Sequence, residues 1–355
     1  MKERIRRLDR GDMGSAIKGC PRQITQILET FVDWSPSQPV EAPRQVLFLG
    51  MGGSAIGGDL VRVWTEQFSP VPMVVVRGYR VPNWVDAHTL VLASSYSGDT
   101  EETLAATHEA AKKGGRVAVI ASGGQLVKLA QAAGWDLLPI PGGLQPRAAI
   151  GYSVAAISRV LVAFGLLPPA VLDDLASGAA LMLADGAQFS EVDQTENKAL
   201  EVARLIQGRL PIIYGATGTT ETLALRFRGQ LAENSKLFSS HNLLPEQNHN
   251  EIVGLAERIK GQGDVLVLWL EDEMDHPRVA LRRELAGRLM GTRGDLLTGR
   301  LSEVTLSGKG HSLPERNLTL LHLIDWISYY AALLGDHDPS SIEILTDIKR
   351  EMSQK

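Results

Sequence analysis

Two stretches in the second half of the chain crowd together side chains that can move protons. One is Gly229-Gln230-Leu231-Ala232-Glu233-Asn234-Ser235-Lys236, which ends a segment of helical pattern. The other is Leu244-Pro245-Glu246-Gln247-Asn248-His249-Asn250-Glu251, which follows the next apolar run. A carboxylate beside an imidazole supplies a base and an acid. Such a pair can carry a proton between neighbouring carbons, as in moving a carbonyl along a chain, and donate one to an oxygen. Glu233, Glu246 or Glu251 could serve with His241 or His249, and the sequence alone does not choose among them. The plain structural alternative for Glu233 is an ion pair with Lys236, three positions on.

A second group of residues suits an anion. Gly50-Met51-Gly52-Gly53-Ser54-Ala55-Ile56-Gly57-Gly58 follows an apolar run and opens a helical pattern, where backbone N–H groups are free to hold a phosphate. Gly50, Gly52 and Ala55 also fit the dinucleotide pattern G-x-G-x-x-[G/A]. Against a nicotinamide site, the next apolar run ends in Arg77-Gly78-Tyr79, where NAD requires an acid for the ribose; the arginine would suit only NADP. Further on, Ser94-Ser95-Tyr96-Ser97-Gly98-Asp99-Thr100-Glu101-Glu102 places three hydroxyls, Ser95, Ser97 and Thr100, ahead of another helix. Serine or threonine followed by glutamate is also an ordinary helix cap. In the flavodoxin strand order 2-1-3-4-5, however, the exits of the first and third strands meet at the topological switch point, so the two loops would share one crevice.

The elements that must carry these residues follow an α/β rhythm. Val46–Leu49, Met73–Val76, Leu90–Ser94, Val117–Ala121 and Leu137–Ile140 read as buried parallel strands, with crossover helices such as Thr100–Lys113 and Gln125–Ala133 between them. Residues 151–208 turn helical. A second α/β unit follows, with runs at Leu210–Tyr214, Leu237–Asn242, Val265–Leu270 and Val304–Leu306 and a helix near Glu221–Lys236. The expected division is a helical segment 1–40, a first domain 41–150, a helical connection 151–208, and a second domain 209–355 ending in a long apolar helix, Leu318–Leu334, and a tail. In that helix Trp326, Tyr329 and Tyr330 read as core or subunit-contact residues, and His322, like His311, is assigned no chemistry.

Over 355 residues, 36 basic and 41 acidic side chains are well mixed, for a net charge of −5. No broad positive field is available for nucleic acid or an anionic membrane. Cys20 is the single cysteine, which excludes an internal disulfide and suits a reducing compartment. The N-terminus is charged, and no stretch approaches 18 uninterrupted apolar residues, so the expected location is the cytoplasm. His241, His249, Glu246 and Glu251 lack the spacing of a metal cluster, and neither a metal nor a cofactor is expected.

GMGGSAIGGD, SSYSGDTEETL, PRAAIGYS, RFRGQLAENSK and LPEQNHNEIVG together resemble the sugar isomerase (SIS) family, and in particular its bifunctional phosphoglucose/phosphomannose isomerase branch, over about residues 45 to 350. The resemblance implies two flavodoxin-like SIS domains in a homodimer with active sites at the domain and subunit boundary. It also implies sugar-phosphate isomerisation in carbohydrate metabolism. Position by position, Gly53, Ser54, Ser95, Ser97 and Thr100 match the family's phosphate grip and Glu233 its base. His249 matches a ring-opening residue given by the neighbouring subunit, Arg147 an arginine that steadies the enediolate, and Lys349 a lysine used in ring opening or substrate binding. Many members carry threonine after Asp-Pro in the tail, where this chain has Asp338-Pro339-Ser340-Ser341, which bears on the C2 epimer, mannose 6-phosphate. SIS domains also act as sugar-phosphate sensors, which would need the hydroxyl loops without Glu233 and His249.

Overall fold

The structure is a computed structural model that describes residues 1–38, 42–193, 196–261, 264–295 and 301–352. In chain order it begins with helices α1 (Lys2–Leu8), α2 (Met13–Lys18) and α3 (Cys20–Thr30). Then come β1 (Gln45–Leu49), α4 (Gly52–Phe68), β2 (Met73–Val76), β3 (Thr89–Ser95), α5 (Glu101–Lys112), β4 (Arg116–Ala121), α6 (Gly124–Ala133) and β5 (Asp136–Pro139). Three helices follow, α7 (Ile150–Ala163), α8 (Ala170–Ser190) and α9 (Lys198–Ile206). The chain continues through β6 (Leu210–Ala216), α10 (Glu221–Glu233), β7 (Ser240–Leu244), α11 (Glu251–Gly261), β8 (Val265–Glu271) and α12 (Pro277–Asp295). It ends with β9 (Leu301–Ser307), α13 (Leu313–Leu334) and α14 (Glu343–Met352). No helix among the described residues is long and apolar enough to cross a membrane.

The chain forms two compact units, Gly19–Leu183 with Lys309–Thr319, and Met1–Lys18 with Ala184–Gly308 and Leu320–Lys355. In the former, β1 to β5 make a wholly parallel sheet in the order β2-β1-β3-β4-β5. This is the flavodoxin order expected from the sequence. Leu47, Phe48, Leu49, Val91, Leu92 and Ala93 lose all contact with solvent, as strands covered on both faces must. Helix α4 lies tightly on this sheet because its glycines leave room: a Cβ at Gly58 would stand 2.5 Å from the Phe48 ring. A Cβ at Gly57 would stand 2.6 Å from Ser153 Oγ, so two glycines of the glycine-rich stretch, Gly57 and Gly58, have a packing role. Arg77, just beyond β2, pairs with Asp59 of α4.

The latter unit is built on a four-stranded parallel sheet, β7-β6-β8-β9. Its core joins Ile212, Tyr214, Val265, Val267 and Trp269 to Leu255, Ile259, Ala286 and Met290. Trp326, Tyr329 and Tyr330 of α13 are core residues of this unit, each no more than 3% exposed and in mutual ring contact. Burying such aromatic bodies contributes about 1.5–3 kcal/mol apiece. Strand β7 begins at Ser240, three residues later than its apolar run suggests, and β9 starts three residues earlier, at Leu301.

Candidate active site

The exits of β1 and β3 lie side by side, since Leu49 pairs with Ala93. Two helices start there. Met51, at the cap position of α4, has no side-chain oxygen to offer the first-turn N–H groups, and Thr100 makes no side-chain cap to α5. Thr100 instead shares a hydrogen bond of 2.9 Å with Ser95, so the ordinary helix-cap alternative does not describe this loop. Ser95 Oγ also accepts from Gly98 N at 3.1 Å, and the exposed Ser97 accepts from Asp99 N at 3.3 Å. Gly98 has φ +76°, and a Cβ there would overlap the Gly123 carbonyl, so only glycine lets the hydroxyl loop close against its neighbour. Ser54 is buried in the first turn of α4.

Arg147 lies in a single 3₁₀ turn, Pro146–Ala148, and is 4% exposed. That turn abuts the glycine loop: a Cβ on Gly53 would be 2.8 Å from the Pro146 carbonyl and 3.4 Å from Arg147 Cα. Gly53, Ser54, Ser95, Thr100 and Arg147 thus belong to one end of one sheet. Helix-start amides and hydroxyls are groups that can take up an anion.

The second sheet has the same kind of switch point, between β6 and β8, and there the polar groups are already consumed. Gly218 N donates to Glu221 Oε2 at 2.8 Å and Thr219 Oγ1 to Asp275 Oδ1 at 2.6 Å, while Thr220 Oγ1 accepts from Ala216 N at 2.9 Å. Burial raises the Asp275 carboxyl above the usual range, with the Thr219 hydroxyl, the Asp272 backbone N–H and the Arg283 charge opposing that rise. Carboxylates thus accept from the loop amide and hydroxyl at this switch point, whereas at the first the hydroxyls bond one another and a backbone amide.

Glu233 is the last residue of α10 and is partly buried. The helix is fixed by a polar strip at positions 226, 230 and 234, which share one face. Arg226 grips Asp325 of α13 in two-pronged fashion, Nε to Oδ1 at 3.0 Å and Nη2 to Oδ2 at 2.6 Å, and Gln230 Nε2 adds a bond of 2.8 Å to Oδ1. Asn234 Nδ2 reaches Ser328 Oγ at 3.0 Å, and Ser235 Oγ reaches the Ser328 carbonyl at 2.6 Å. The ammonium of Lys236 bonds the main-chain carbonyl of Glu233 at 2.9 Å, a contact the simple ion-pair alternative did not foresee. Because the Arg226 and Asp325 side chains are only 2% and 4% exposed, removing one strands the other. Asp325→Ala should cost about 3–5 kcal/mol of stability, measurable by urea unfolding.

The segment 244–251 separates its own candidates. Glu251 is engaged: Tyr214 Oη donates to its Oε1 at 2.9 Å and Asn242 Nδ2 to its Oε2 at 2.6 Å. Tyr214 and Asn242 are register partners on β6 and β7, so Glu251 staples the start of α11 to the sheet. Burial, then the Glu251 charge, push the Tyr214 hydroxyl far up, so it remains a donor. Glu246 accepts from Asn250 Nδ2 at 2.8 Å. His249 ends the 3₁₀ turn Glu246–His249 and is exposed. His241, half-buried on β7, is held below the usual imidazole range by burial first and by Arg228 second, against the pull of Glu251. A histidine kept neutral in the fold costs stability once acid charges it in the unfolded chain. Stability should therefore be whole above about pH 6.5 and fall as pH drops toward the lower folded value. Urea unfolding at pH 7.5 and 5 should show this slope, flattened in His241→Asn.

Lys349 lies in the last turn of α14, exposed, on a helix with no buried residue. Among the described residues, no group of three or more His, Cys, Asp or Glu gathers as a metal site. Sequence reasoning missed Asp325 and Tyr214. Asp325 carried a signal: a charge within the apolar run Leu318–Leu334 must be paired.

A wholly parallel sheet in flavodoxin order with hydroxyls at its switch point, together with a second parallel sheet in the same chain, defines a doubly wound α/β protein of two sheets. The bacterial phospho-glucose isomerase C-terminal SIS domain family matches residues 195–352. A bifunctional phosphoglucose/phosphomannose isomerase from Caldicellulosiruptor bescii is 37% identical over 96% of this chain and 99% of its own. One from Aquifex aeolicus is 34% identical over 88% and 91%. Among solved structures, the C-terminal domain of glucosamine-fructose-6-phosphate aminotransferase from Francisella tularensis shares the fold, with TM-score 0.72 at 14% identity, over 93% of this chain and 98% of that one. The chain belongs to the bifunctional phosphoglucose/phosphomannose isomerase family.

Proposed function

We propose that this chain is an aldose–ketose isomerase that interconverts glucose 6-phosphate and fructose 6-phosphate, and likewise mannose 6-phosphate and fructose 6-phosphate, by proton transfer through a cis-enediolate. What supports this is that hydroxyls gather beside two helix starts at one sheet, while a carboxylate, Glu233, stands at a helix end held by a buried polar strip. A protein that only sensed the sugar phosphate would need the hydroxyls and helix starts alone.

In this mechanism Gly53, Ser54, Ser95, Ser97 and Thr100 hold the phosphate. His249, with Lys349, opens the pyranose ring. Glu233 then takes the C2 proton, leaving its bonding pair to form the enediol double bond, while the carbonyl oxygen at C1 gains negative charge. Arg147 stabilises that charge. The C2 hydroxyl proton passes to the C1 oxygen, Glu233 returns its proton to C1, and the C2 oxygen becomes the carbonyl of fructose 6-phosphate. Of the imidazoles, exposed His249 suits a substrate-facing role better than His241, which burial keeps neutral. The working form is a homodimer in the cytoplasm, with His249 acting in the neighbouring subunit's site.

Coupled assays with glucose 6-phosphate and mannose 6-phosphate test this directly. Turnover of glucose 6-phosphate at neutral pH is expected, and binding without turnover of either sugar would overturn it.

A further inference from the structure

Lys236 adopts φ +55°, in the left-handed region where glycine is the undemanding choice, and it is one of few non-glycine residues in the described structure to do so. A lysine kept there needs a reason. Its backbone turn sends the side chain back over the helix end. The ammonium then meets three carbonyls, those of Glu233 at 2.9 Å, Asn234 at 3.2 Å and Asp338 at 2.6 Å. Three acceptors match the three donors of an ammonium. Two of them stand at the end of α10, where carbonyls point beyond the helix's own hydrogen-bond ladder. The third belongs to the tail turn, where Ser340 N donates to Asp338 Oδ1 at 2.8 Å and Ser340 packs against Gly11, a position at which any Cβ would collide with Ser340 Oγ.

The polar strip of Arg226, Gln230 and Asn234 fixes the buried face of α10. Asn234 and Ser235 hold the chain just beyond Glu233 to α13 from the buried side, while on the outer side the Glu233 carbonyl itself is met by the Lys236 ammonium. We propose that Lys236 is a positioning residue for the base: its ammonium locks the carbonyl of Glu233 to the tail turn around Asp338, and so sets where the Glu233 carboxylate stands relative to the sugar. Small displacements of a catalytic group are costly in rate even when binding is untouched. A mere helix cap would affect stability and leave the chemistry alone.

This inference rests on Glu233 being the base, so Glu233→Gln is assayed alongside. Lys236→Gly is the decisive variant, because glycine takes φ +55° without strain and the fold is kept while the ammonium is lost. The expected result is a melting temperature unchanged or raised, KM for fructose 6-phosphate within about threefold, and kcat lower by about tenfold. Lys236→Met should show the same fall in kcat, and Lys236→Arg should recover part of it. If Glu233→Gln is inactive but Lys236→Gly and Lys236→Met keep kcat within about twofold of the parent, the positioning role is wrong and the base stands. If Glu233→Gln turns over normally, both fall.

Discussion

Glu233→Gln should lower kcat for glucose 6-phosphate by about 10²-fold or more, with a much smaller change in KM. The amide keeps the shape of the side chain and cannot accept the C2 proton. The backbone around it is held by Arg226, Gln230, Asn234 and Ser235, each bonded to α13, so the substitution leaves the helix end in place. Unchanged binding with lost turnover is the signature of an interaction used in the transition state. Thermal melting of the variant should match the parent, separating lost chemistry from lost fold.

Arg147→Met should lower kcat by about 10²–10³-fold, the usual consequence of deleting a donor that meets developing negative charge in a water-poor site. Arg147 is 4% exposed, and its turn lies directly against the glycine loop that starts α4. Guanidinium stays charged at any working pH, so the effect should be constant across the pH profile. Arg147→Lys keeps a positive charge without the planar fork, and a partial recovery of kcat relative to Arg147→Met is expected. A rise in KM with kcat preserved would move Arg147 from the reaction to the phosphate grip.

The first sheet was readable in the residues because its strands are buried on both faces and so appear as unbroken apolar runs: Val46–Leu49 and Leu90–Ser94 fall within β1 and β3. Strand order then brought the serine and glycine loops together. β7 was displaced because Leu237 and Phe238 look like a strand while the turn at Lys236 keeps them outside it. Leu237 N bonds the Leu231 carbonyl, and Phe238 is 84% exposed. Helix α12, Pro277–Asp295, was not foreseen, since its arginine-rich sequence shows little apolar periodicity. In the candidate site, Glu233, Glu246 and Glu251 were equivalent on sequence. What separates Glu251 is the lateral pairing of Tyr214 with Asn242 across two strands, a long-range fact with no local signature. The buried grip on Asp325 joins residues 99 positions apart.

Proton transfer through an enediolate has a direct isotopic test. Incubating the protein with fructose 6-phosphate in D₂O and following the sugars by NMR should show deuterium entering C1 of fructose 6-phosphate and C2 of glucose 6-phosphate, with no such labelling by Glu233→Gln. Sugar phosphate that is bound by the native protein and emerges with both carbons fully protiated would contradict Glu233 as the base and the isomerase mechanism built on it.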